Sequence, residues 1–192
     1  MLPLIPPAFA IVFMAICAGI RWPLWETAFN SDYSPVSWLS SAQLVGGALL
    51  ALREAAARSL PKALSLWLAA GLTFLALDEQ FMFHEQWKYA RHDWSAAGLG
   101  KWVLELPTIA VGVLGLCTLI WMHRAIPVRQ VRQWAWTAVS IGIFALLVDQ
   151  APMPETIAAF EEGFEVLAEA FFLSALLAVP LPAAMPGQSR VT

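Results

Sequence analysis

Six apolar runs follow one another along the chain, at about residues 4–20, 37–52, 63–87, 102–122, 133–149 and 155–179. Each is close to the roughly 20 residues a helix needs to cross a hydrocarbon core, and too long for a barrel strand. In lipid every backbone polar group must be satisfied within its own segment, so runs of this length predict helices. The breaks between them carry helix-ending and interfacial residues. Arg21-Trp22-Pro23 closes the first run and Arg53-Glu54 the second. Pro61-Lys62 opens the third, His123-Arg124 closes the fourth, and Pro154 precedes the sixth. Trp22, Trp25, Trp38, Trp87, Trp102, Trp121 and Trp134 fall at or near run ends, where amphipathic rings settle at a membrane interface.

Composition agrees with an apolar solvent. Hydrophobic residues make up 59% of the 192 and charged residues 13%, about half the charged share of a soluble domain. The expected fold class is all-α, an integral membrane bundle of about six transmembrane helices forming one domain over residues 1–192. The first run lacks a basic leader and a small-residue cleavage site, and Pro6-Pro7 interrupts it, so it reads as a retained span. A net charge of −3 with no basic patch argues against nucleic acid as a partner. Cys17 and Cys117 both lie in apolar runs and are expected to be buried small hydrophobes, neither a disulfide framework nor a thiolate metal site.

The basic residues give an orientation. With the N-terminus in the cytoplasm, Arg53, Arg58, Lys62, Arg124, Arg129, Arg132 and Arg190 fall inside, against Arg21, Lys88, Arg91 and Lys101 outside. The excess inside places both termini in the cytoplasm of a bacterial inner (plasma) membrane. The acids divide more sharply: of fourteen Asp and Glu, only Glu54 falls on the inner side. Acids contribute little to orientation, so their distribution calls for another cause.

Two clusters dominate the outer acids. The third run carries Asp78, Glu79, His84 and Glu85; on a continuous helix Asp78, Phe81, His84, Glu85 and Lys88 share one arc, while Glu79 points to a different neighbour. The sixth carries Glu161, Glu162, Glu165 and Glu169 on one stripe. Because the third run heads outward and the sixth inward, the two sets are expected at similar depth, facing each other. Glu105, Asp149 and Glu169 read equally well as acids solvated among headgroups. Carboxylates at that depth need either protons or a cation. Carboxylates with one imidazole suit a divalent metal such as Fe, Mn or Zn, and helical bundles build such sites from inward-facing Glu and His. The predicted metal ligands are Asp78, Glu79, His84, Glu85, Glu161, Glu162 and Glu165. No His-Glu-x-x-His is present, and Phe81 stands where a Glu-x-x-His motif ending at His84 would need its acid.

The pair Asp78-Glu79 with His84-Glu85, followed by Glu161-Glu162-x-x-Glu165, resembles a group of uncharacterised bacterial multi-spanning membrane proteins with an Asp-Glu-x4-His-Glu motif and a later Glu-Glu-x-x-Glu motif. The resemblance covers the order of spans and these two motifs, and implies no activity. Three functions stay open. The first is a metal-binding membrane protein, whether or not an enzyme, working among membrane lipids with a bound divalent metal as cofactor. The second is a structural or assembly subunit that meets a membrane-protein partner or forms a homo-oligomer. The third is a proton or cation transporter. That last reading is opposed by the shortage of polar residues, chiefly Ser65, Ser140 and Ser174, in the inner halves of the runs.

Overall fold

A computed structural model describes residues 2–29, 34–83, 86, 87, 90, 103, 106–149 and 155–181, with the side chains of 149 and 155–158 excepted. The described residues hold six α-helices and no strand: α1 Ile5–Ile20, α2 Pro35–Ala57, α3 Lys62–Phe81, α4 Leu106–Ala125, α5 Arg129–Asp149 and α6 Glu155–Leu177. Short 3-10 turns lie at Leu2–Leu4 and Trp25–Ala28.

Local chemistry sets the helix ends. Ser34 caps α2, its Oγ accepting from the Ser37 N–H at 3.0 Å, and Pro35 occupies the first turn, where its missing N–H is harmless. At the other end Arg58 takes a left-handed conformation (φ 57°). Its N–H bonds to the Ala55 carbonyl, and that of Ser59 to the Glu54 carbonyl, the Schellman arrangement that satisfies the last free carbonyls. The chain then turns through Pro61 into α3. Met82 closes α3 in the same left-handed way (φ 52°), its N–H bonding to the Asp78 carbonyl at 2.6 Å. The arc expected on the third run presupposed one unbroken helix from Asp78 to Lys88; Met82 interrupts it, and His84, Glu85 and Lys88 lie outside the described residues. Phe83, Gln86 and Trp87 are helical again, but beyond that left-handed residue they do not continue the phase of α3.

Helix α6 lies against α1, α2 and α5; α3 packs on α2, and α4 on α5. Side-chain contacts fix the directions. Ser37 and Ser41 meet Glu79 and Gln80, while a Cβ on Gly47 would meet Leu72, so α2 and α3 are antiparallel. Ser40 meets Glu169, while Gly47 lies by Leu173 and Leu176, so α2 and α6 run the same way. One core joins Leu44, Leu64, Leu68, Leu72, Leu119, Met122, Val131 and Leu176 of α2 to α6. A second joins Ala10 and Cys17 of α1 to Val36, Leu39, Val166 and Ala170.

Outside these cores the distribution is inverted relative to a water-soluble protein. Ser34, Ser37, Ser40, Ser41, Gln43, Glu54, Ser65 and Ser174 are buried, while Phe9, Ile16, Phe74, Val113, Ile143 and Leu147 are exposed. Residues 109–117 of α4 are exposed on every face of the helix. Cys117 lies there and is exposed, a correction to its expected burial; Cys17 is buried as expected. Among the described residues, four helical segments are long and apolar enough to cross a membrane: Leu2–Ile20, Pro35–Ala57, Leu106–Ala125 and Arg129–Val148. The remaining two helices, α3 and α6, are those that carry the acid clusters.

The glycines separate packed from free helix faces. A Cβ at Gly47 would stand 3.1 Å from Leu72 Cδ1, whereas one at Gly115 meets nothing within 4 Å. Gly47→Val is therefore expected to destabilise the protein by about 1–3 kcal/mol. Gly115→Val should change stability by less than about 0.5 kcal/mol. Thermal unfolding of the two variants in the same detergent checks the difference.

Candidate functional site: a carboxylate cluster on a serine stripe

The site begins on α2, in the stretch Ser34-Pro-Val-Ser37-Trp-Leu-Ser40-Ser41-Ala-Gln43. At 100° per residue, Ser37 and Ser41 share one face and Ser40 lies 60° away from Ser37, so one apolar helix offers hydroxyls to both neighbours. Ser37 Oγ donates to Glu79 Oε1 of α3 at 2.8 Å. Ser41 Oγ accepts from Gln80 Nε2 at 2.7 Å. Ser40 Oγ donates to Glu169 Oε1 of α6 at 2.8 Å. Helix α2 thus stands between the two acidic helices and ties one carboxylate from each.

The carboxylates also sense one another. Glu79, Glu165 and Glu162 all act electrostatically on Glu169, whose carboxyl group is enclosed. The Oε2 atom of Glu169 is buried and has no hydrogen-bond partner among the described residues. The same is true of both amide atoms of Gln43, one turn beyond Ser40 on α2.

Of the residues predicted to hold metal, the structure brings Glu79, Glu162 and Glu165 into one electrostatic neighbourhood around Glu169. Asp78 and Glu161 are partly buried on the same two helices, next to Glu79 and Glu162. His84 and Glu85 lie outside the described residues, as do Glu105 and the side chain of Asp149. Among the described residues no group of three or more His, Cys, Asp or Glu side chains is arranged to hold a metal ion on its own. Sequence reasoning left Glu169 open as a headgroup acid and passed over Ser37, Ser40, Ser41 and Gln43. Their signal was nevertheless present, as polar side chains spaced three, four and six residues apart in an otherwise apolar run.

Two other polar features lie away from the cluster. Glu54, 0% exposed near the far end of α2, is bound by Ser59 Oγ and lies 3.8 Å from Arg53 Nη1, so it belongs to the α2–α3 turn. A groove of about 520 Å³ runs along the first turns of α5, lined by Arg129, Gln133, Trp134 and Thr137. Helix α5 packs antiparallel to α6, with Phe144 against Phe164 and Trp134 against Phe171, so that groove lies beside the C-terminal half of α6.

Loss of the Ser40 hydroxyl would strand a buried carboxylate oxygen, at a cost of about 1–3 kcal/mol. Ser40→Ala is expected to lower the melting temperature by about 2–12 °C, taking roughly 2–4 °C per kcal/mol for a chain this long. Ser140→Ala, at an exposed position of α5, is the control and should leave it unchanged.

No curated protein and no solved structure matches the chain. A family model, described as a domain of unknown function (DUF8692), matches residues 4–179. That match takes in all six helices and every residue of the carboxylate cluster, and the chain belongs to that DUF8692 family.

Proposed function

We propose that the chain is an integral protein of the bacterial inner membrane, crossing it six times with both termini in the cytoplasm, and that its carboxylate cluster binds a divalent cation near the outer face. Four helices with the length and apolarity to cross, and the exposed apolar surface around them, support the membrane assignment. Helices α3 and α6 carry more charge, but both pack on α2, where Glu79 and Glu169 bond to serines; Asp78, Glu79, Glu161, Glu162 and Glu169 are partly buried, while Glu165 is exposed.

The observation that carries the cation reading is the enclosed carboxylate of Glu169, tied to Ser40 and surrounded by Glu79, Glu162 and Glu165. Like charges in a low-dielectric interior repel strongly, and a cation held among them turns that repulsion into attraction. Bundles satisfy such a cation with inward carboxylates from facing helices. The remaining ligands come from neutral oxygens or from His84 and Glu85, which follow α3 in sequence. A bound divalent ion there would polarise water or a lipid headgroup oxygen, which is the route by which this site would support an enzyme.

Helices α2, α3 and α6 favour a closed site over a conduit. Below the serines and Gln43 their interior is filled chiefly by Leu44, Ala48, Leu64, Leu68, Leu72 and Leu176, with Ser65 and Ser174 as small buried polar side chains among the described residues.

Elemental analysis tests the reading. Protein purified without added metal is expected to carry about one divalent ion per chain, lost from Glu79→Ala and Glu169→Ala variants that remain folded. Metal-free wild-type protein that stays folded, with a melting temperature unmoved by Mg²⁺, Mn²⁺ or Zn²⁺, would overturn it.

A further inference from the structure

Gln43 is the least explained polar residue in the bundle. It is 7% exposed, and neither its Oε1 nor its Nε2 has a hydrogen-bond partner among the described residues. A dry amide with no partner costs several kcal/mol at the high end of transfer scales, so natural bundles satisfy such groups or use them. Its place is fixed by its neighbours on the α2–α6 seam. One turn before it, Ser40 bonds Glu169; one turn after it, Gly46 and Gly47 approach Leu173. Glu169 and Leu173 are themselves one turn apart on α6. Gln43 therefore lies directly below the Ser40–Glu169 pair, and the second carboxylate oxygen of Glu169 is likewise buried and unpartnered.

We infer that Gln43 and Glu169 form the floor of the cation site, with Gln43 Oε1 and Glu169 Oε2 as its deepest ligands and Ser40 holding Glu169 in position. This rests on the cation reading given above and adds to it both residues and a ligand chemistry. The floor offers one carboxylate and one amide carbonyl, all oxygen, with the acids Glu79, Glu162 and Glu165 above it. Oxygen sets of this kind select hard divalent cations of the Mg²⁺ or Mn²⁺ class, which retain water where protein ligands run out.

The test uses Mn²⁺ as the probe on full-length protein in nanodiscs, with binding read by electron paramagnetic resonance and stability by thermal unfolding. Gln43→Leu is expected to weaken Mn²⁺ binding at least tenfold and to leave the metal-free protein as stable as wild type, or more so, because an unsatisfied amide is replaced by an apolar group of similar size. Gln43→Glu, which returns an oxygen ligand with a charge, should bind Mn²⁺ at least as tightly as wild type. If wild type and Gln43→Leu bind Mn²⁺ equally, Gln43 is no ligand and the inference is overturned while the broader cation reading stands. If wild type binds no divalent ion at all, the broader reading falls as well. Should Gln43→Leu fail to assemble, Gln43→Glu decides, and binding weakened tenfold or more in it overturns the inference.

Discussion

The hydrogen bonds from α2 to the two acidic helices are the constraint on which the rest of the bundle depends. Glu79 and Glu169 lie on two helices packed against α2, and each accepts a hydrogen bond from a serine hydroxyl of α2 at 2.8 Å. Those hydroxyls offset part of the desolvation penalty of two carboxylates placed among apolar helices. With them, α2 becomes the post on which α3 and α6 are hung, and the apolar contacts below set the spacing. Gly47 allows Leu72, Leu173 and Leu176 to close on the same point of α2. The close approach of backbone at small residues is how membrane helices pack when no hydrophobic force separates protein from lipid.

This arrangement divides the bundle along its length. At one end, polar side chains of α2, α3 and α6 converge. Below them the same three helices meet through leucine and alanine. At the opposite end, a tight turn between α2 and α3 buries Glu54 against Ser59 and Arg53. The first of these layers holds the proposed cation site. The second seals it, and the third fixes the pairing of α2 with α3. Helix α4, exposed all round from 109 to 117, contributes little to the site and interacts with the bundle mainly through Leu119 and Met122 and the Trp67 Nε1 bond to Thr118 Oγ at 2.8 Å.

Much of the fold was legible in the sequence because apolar run length and proline placement are strong signals. The six described helices overlie the six runs, although α3 ends at Phe81, short of the third run's expected end, and Glu79 of α3 and Glu169 of α6 both bond to serines of α2. What could not be read was the mediator. Ser37, Ser40 and Ser41 are ordinary in composition, and only the packing of α2 between α3 and α6 gives them a role. The left-handed turn at Met82 was also hidden, since methionine carries no turn signal, and it removed the basis for placing Asp78 and His84 on one arc. Glu169 was ambiguous because depth along a helix, and not residue type, decides whether a carboxylate meets headgroups or a serine.

The central claim is that α2 and α6 meet at Ser40 and Glu169, inside the bundle. Paired cysteine substitution tests it most directly, in native membranes and with Cys17 and Cys117 replaced by alanine. Ser40→Cys with Glu169→Cys should crosslink on mild oxidation, whereas Trp38→Cys, at a position 64% exposed, should not crosslink with Glu169→Cys. Failure of the first pair to crosslink, or equal crosslinking of both, would contradict the arrangement described.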